Sequence, residues 1–98
     1  MNRRELLQEK LAEEVDNPDV CLWMSFCDPD KPKGTQFLGV IVVMAKGPAH
    51  ALVKTHTLGI NPGGEVMSCV TNPDDIKPED FDRLLSKEYL IEAGYIDE

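Results

Sequence analysis

Two histidines, three cysteines and one glycine-rich run are the parts of this chain that could do chemistry. The run is Leu58-Gly59-Ile60-Asn61-Pro62-Gly63-Gly64-Glu65. A phosphate-binding loop follows a strand and precedes a helix, so that the anion meets the positive helix N-terminus. Here the glycines follow an expected helix and precede an expected strand, and the nearby dipole end is the negative one. They read as a helix C-cap and a tight turn, with glycine supplying positive φ. A ligand-binding reading uses the same segment: Asn61, Gly63, Gly64 and Glu65 would hold a small ligand if His56 converges with them on a pocket.

The remaining candidates point away from metals and cofactors. His50 and His56 are six residues apart on one expected helix, about 120° around its axis, so they cannot share a metal from that helix. His56 falls on the inward face and reads as a hydrogen-bonded core residue; His50 is expected to be exposed. A Cys-His or Glu-His pair would need His56 to reach Cys69 or Glu65 across the sheet, and the sequence leaves that open. Cys21 and Cys27 sit on one expected strand, about 20 Å apart, too far to bridge. No CxxC or HExxH spacing occurs, so no metal site is expected. Asp28 and Asp30 share their loop with Lys31 and Lys33 and fall short of a calcium loop. With no GxSxG and no catalytic carboxylate pair, the sequence leans away from an enzyme without closing the question, and no cofactor is expected.

The elements that must position these residues follow from periodicity. Leu6, Leu7, Leu11 and Val15 make one apolar stripe, which predicts a helix from Asn2, its N-cap, to about Val15. Asp16-Asn17-Pro18-Asp19 ends it. Val20 to Cys27 alternates as a strand, with Val20, Leu22, Met24 and Phe26 on one face and Cys21, Trp23, Ser25 and Cys27 on the other. Asp28 to Gly34 is a loop. Gln36 to Met44 is apolar on both faces, as a covered central strand is, and Gly39 marks a bulge or a close backbone contact. Pro48 to Leu58 predicts a helix with Ala49, Leu52, Val53 and His56 inward. Glu65 to Thr71 is the third strand. Pro78 to Leu85 predicts a short helix with Glu79 and Asp80 in its first turn, and Ser86 caps another that ends at Gly94.

These elements predict one α+β domain over residues 1–98: an N-terminal helix (1–19), a ββαβ core (20–71) and an acidic helical tail (72–98). The core is expected to be a small three-stranded mixed sheet. Its second strand lies in the centre, and the second and third strands run parallel across a right-handed helical crossover. The helix between them covers one face. The terminal helices or a second copy must cover the other, because Trp23, Cys21 and Cys27 need shelter from water.

The net charge of −8 is uneven. Residues 1–19 hold six acids against three bases, and residues 72–98 hold nine against three; the middle has three acids and four lysines. No clustered basic surface is available for phosphates, so direct nucleic-acid binding is not expected. The longest apolar run, Val40 to Ala45, is far short of the ~20 residues that cross a bilayer. The N-terminus lacks an apolar signal region, and the odd number of free cysteines suits a reducing, cytoplasmic setting.

Trp23-Met24-Ser25-Phe26, Asp28-Pro29-Asp30-Lys31-Pro32-Lys33-Gly34, Gln36-Phe37-Leu38-Gly39 and Leu58-Gly59-Ile60-Asn61-Pro62-Gly63-Gly64-Glu65-Val66 together resemble a group of short uncharacterised bacterial and phage-associated proteins. The resemblance spans about Val20 to Val70, is most specific at the Gly-Ile-Asn-Pro-Gly-Gly-Glu run, and implies no activity. The function expected from the residues is a non-enzymatic interaction or accessory protein, a homo-oligomer with Trp23 and Cys21 at its interface. The alternatives are a small-ligand-binding protein or minor enzyme that uses the turn at residues 61–65 with His56, and an acidic protein that occupies a basic, nucleic-acid-binding partner.

Overall fold

The computed structural model describes residues 2–97. The elements run α1 (Arg3–Glu14), β1 (Val20–Cys27), β2 (Phe37–Ala45), α2 (Pro48–Thr57), β3 (Glu65–Thr71), β4 (Leu84–Leu85) and α3 (Lys87–Glu92). Asn2 caps α1 by accepting from the Glu5 N–H at 2.9 Å, and Ser86 caps α3 by accepting from Tyr89 N–H at 3.1 Å. Each cap satisfies a backbone donor that the helix cannot reach.

The fold is α+β, but the sheet differs from the expected three-stranded mixed one. It has four strands in the order β3-β1-β2-β4, and every ladder is antiparallel. The first strand, not the second, sits between its two long neighbours. β2 and β3 both pair with β1, so they run parallel to each other without being bonded. The reason is burial: the inner place gives Leu22, Met24 and Phe26 cover on both sides, and none is more than 2% exposed. β2 remains an inner strand only because β4 pairs with it at Val40 and Ile41. Gly39 answers both readings made of it. Leu38 is the extra residue of a bulge opposite Phe26 and Cys27, and a side chain at Gly39 would press on the Leu85 carbonyl.

Each sheet face carries its own core. Leu22, Met24, Phe26, Ile41 and Val43 pack under α2 through Ala51 and Leu52. Cys21, Val40 and Val42 pack under Ile76, Leu85 and Leu90 of the C-terminal segment. α2 is rotated from the expected face: Ala51 and Thr55 are buried, while His56 is exposed. A threonine can take the inward place because its hydroxyl is satisfied locally. It donates to the Leu52 carbonyl at 2.7 Å and accepts from Asn61 Nδ2 at 2.9 Å.

α2 begins at Gly47, which has no side chain to cap it. Glu14, at the end of α1, does so from outside. Its Oε2 accepts from Ala49 N–H at 3.0 Å and its Oε1 from His50 N–H at 2.9 Å. A carboxylate at a helix N-terminus meets both free donors and the positive dipole end. Gly47 leaves the room, since a Cβ there would overlap the Glu14 carboxyl carbon.

The expected helix over Pro78 to Leu85 does not form. One 3-10 turn, Pro78–Asp80, gives way to extended chain that carries Leu84 and Leu85 to β2. Asp80 is the cause. Its side chain is fully buried rather than exposed in a first turn. Oδ1 accepts from Tyr89 Oη at 2.6 Å and from Arg83 at 2.9 Å, and Oδ2 accepts from Tyr95 Oη at 2.7 Å. Tyr95 in turn accepts from Lys77 N–H at 2.9 Å and stands edge-on to Trp23, with ring centroids 5.9 Å apart. Burial alone would raise the Asp80 carboxyl, but the bonds from Tyr89, Tyr95 and Arg83, with the Arg83 charge, outweigh it and hold it below its ordinary range. The bond to Asp80 and then burial push Tyr89 up; burial and then the same bond push Tyr95 up.

Asp80→Asn replaces an acceptor shared by three donors, and it should cost about 1–3 kcal/mol at neutral pH. Because the folded Asp80 carboxyl lies below its unfolded value near 4, its contribution is complete above about pH 4 and fades as pH falls further. The raised tyrosines act at the other end: their contribution holds below about pH 10 and fades as pH rises through their folded values. Urea unfolding followed by Trp23 fluorescence over pH should therefore show the gap between natural chain and variant closing in acid. A pH-independent gap would mean that Asp80 matters only by shape. For the other anchor, Glu14→Ala should cost about 1 kcal/mol as a lost cap. Gly47→Ala should destabilise the natural chain but cost little once Glu14 is alanine, because the extended backbone at Gly47 suits any residue. Additive costs in that double-mutant cycle would deny the contact.

Candidate functional site

The glycine-rich turn is explained by the fold. Asn61 accepts from Gly63 N–H at 2.7 Å while donating to Thr55, so both ends of its amide are engaged. Gly64 has φ 72°, and a side chain there would overlap the Cys27 carbonyl. The turn thus hands the chain from α2 to β3 under β1. His56 and Glu65 are both exposed. Glu65 lines a cleft beside the turn; His56 is not among that cleft's walls. His50 is the half-buried histidine, and its Nδ1 accepts from Lys46 N–H at 3.0 Å. Among the described residues no group of three or more metal-ligating side chains gathers.

The expected interface residues lie on the face that the C-terminal segment covers. Cys21 is 2% exposed, and burial pushes its thiol up. It has no surface to offer a second copy. Trp23 is half-buried, and Tyr95 of the same chain gives it part of the shelter that its position demands. The acids of the two ends do not share a face either. α1 packs on α2, on one side of the sheet, whereas the C-terminal segment packs on the other.

What remains without cover is β3. It is the edge of the sheet and pairs only with β1. Among the described residues, no backbone or side-chain hydrogen bond reaches its outer edge. Its side chains are open on both faces as well: Met67 is 79% and Val70 68% exposed, and Cys69 is exposed beside them. Soluble proteins guard long edges with lysine, proline, bulges or a covering segment. The strand Glu65-Val66-Met67-Ser68-Cys69-Val70-Thr71 has one charge, at its first position, and no proline. The opposite edge is guarded. β4 has two residues, and the chain before it bridges Phe81 to Val42, with the Asp82 N–H donating to the Val42 carbonyl at 3.0 Å.

β3 also floors a recess. A cleft of about 1040 Å³ opens between α1, α2 and β3, with Leu6, Leu7, Leu52 and Val66 as its apolar walls and Arg3 and Lys10 also lining it. A smaller recess of about 340 Å³ lies further along β3, at Val70. Ser68 touches both. The helices cover β1 and β2 and stop short of the edge strand. The expected sheet, with its second strand in the centre, also left β3 at an edge, but beside β2 rather than β1; that nothing covers this edge depends on where the helices and the C-terminal segment pack, which local sequence does not show.

No helix among the described residues is long and apolar enough to cross a membrane. Compared with protein-family models, curated proteins and solved structures, the chain matches none.

Proposed function

We propose that this chain is a non-enzymatic protein-interaction module, an accessory protein that binds its partner by taking a strand onto the outer edge of β3. The observation that carries the reading is the unpaired and unguarded edge, apolar on both faces. An extended segment added there gains main-chain hydrogen bonds for affinity and alternate side-chain pockets for specificity. The cleft under α1 would receive side chains on one face, and Met67 with Cys69 would meet them on the other. A small ligand is less well served, because Asn61 is already engaged and His56 stands outside the cleft.

The test is site-specific photo-cross-linking in cells. With p-benzoylphenylalanine in place of Met67, discrete adducts should form, and their masses identify the partner. The same group at Lys33, in the loop between β1 and β2, should give none. Adding Val70→Lys to the Met67 variant should abolish the adducts. No adduct at position 67, or equal adducts at 67 and 33, would overturn the reading.

A further inference from the structure

Resting on the reading of β3 as a binding edge, we infer that its occupant is a second copy of this chain, paired β3 to β3 about a two-fold axis at Ser68. The evidence is in the strand itself. A two-fold axis normal to the sheet runs the two copies of β3 antiparallel and sets each side chain beside one from the same face. Centred on Ser68, it pairs all seven residues of the strand. Val66 meets Val70 on the helix side. Met67 meets Cys69 on the other side, and Ser68 meets itself. The core of the strand, Val66-Met67-Ser68-Cys69-Val70, is thus close to a palindrome in size and polarity.

Neighbouring registers are poorer. An axis at Met67 or at Cys69 pairs only five residues and sets valine against serine. The chosen register also keeps the strand's one charge away from itself, since Glu65 falls opposite Thr71 and at the far end of the seam from its counterpart. Directly opposed apolar pairs stabilise a ladder, and opposed like charges destabilise it.

Charge elsewhere allows the approach. A chain of net charge −8 should repel its copy, but apart from Glu65 the acids are not on this strand. The acid-rich C-terminal segment lies on the opposite sheet face and closes the other edge. The helix that does come near the seam, α1, is nearly balanced: Arg3, Arg4 and Lys10 stand against Glu5, Glu9 and Glu13, and Glu14 is spent on α2. The seam would also draw the second copy's Val70 towards the open cleft beside Val66, and Val66 of that copy towards the smaller recess beside Val70. Two four-stranded sheets would become one of eight strands with both guarded edges outermost.

Light scattering over a concentration series tests it directly. The natural chain should weigh twice 10.9 kDa, and Val70→Lys, on an exposed side chain, should weaken the dimer about tenfold or more with an unchanged circular dichroism spectrum. Register is read by oxidation with glutathione disulfide. Ser68→Cys should cross-link to itself, and Met67→Cys to Cys69 of the second copy, whereas the natural Cys69 sits diagonal to its counterpart, about 7–8 Å away, and should not. A monomer at every concentration overturns the inference. If Met67 cross-links to another protein in cells while the pure chain stays monomeric, the binding edge stands and the second copy falls. If neither occurs, both fall. A dimer unmoved by Val70→Lys would lie elsewhere and would also overturn it.

Discussion

A buried carboxylate cannot stay ionised without donors, and Asp80 has drawn about the last quarter of the chain around itself to obtain them. Arg83, Tyr89 and Tyr95 come from an extended stretch, a helix and the tail beyond it, and all end on the same two oxygens. The consequences spread outward. Holding Tyr89 and Tyr95 brings Leu90 and Ile76 down on Cys21, Val40 and Val42. Unwinding the chain after Asp80 frees Leu84 and Leu85 to pair with β2. One polar group therefore decides how a sheet face is covered and which of the two sheet edges is closed. Arg83 adds to the network mainly as a donor and by lying 4.9 Å over the Tyr89 ring, since it is itself exposed and an exposed charge is weakly felt.

The other face repeats the solution with Glu14. In sequence this residue is one of several acids in the N-terminal third. In the fold it is the only link by which α1 grips the start of α2 through side-chain hydrogen bonds among the described residues. α1 needs the grip because its apolar stripe is poorly used: Leu6 and Val15 remain 48% and 60% exposed, and only Leu7 and Leu11 are half-buried. Of that stripe, Leu6 and Leu7 form a wall of the cleft over β3. A helix docked at one end by a carboxylate and left partly open along its stripe makes a recess rather than a core.

Local chemistry was legible in the sequence, and non-local pairing was not. The strands Val20–Cys27 and Glu65–Thr71, the caps at Asn2 and Ser86, and the structural role of Gly64 all follow from alternation, capping and turn geometry. Strand order was missed because βαβ connections usually join neighbours, whereas this crossover passes over β1. The rotation of α2 was missed because Thr55 counts as polar until its hydroxyl is seen to be satisfied within one turn. The helix over Pro78 to Leu85 was expected because Glu79 and Asp80 suit a helix N-terminus. Nothing within that window reveals that Tyr89 and Tyr95, nine and fifteen residues on, compete for the same carboxylate. The candidate edge was legible only in part: a sheet with its second strand in the centre also leaves β3 at an edge, but its true neighbour, β1, and its lack of cover are properties of the whole fold.

The two edges of this sheet are treated in opposite ways by one chain. At β2 the chain spends its tail, a bridge at Phe81 and a short strand on closing the ladder. At β3 it spends nothing, although a single lysine within the strand would have served to guard it. An unguarded strand of this composition endangers solubility, and the chain answers with charge held at its two ends rather than at the edge itself. That division separates solubility from pairing. Long-range repulsion discourages random association, while the short-range surface of β3 stays free of the charges that would forbid a specific strand. A strand left open only by neglect would have no need of a sequence charged only at its first residue, two-faced and nearly palindromic; a strand kept for pairing would need all three.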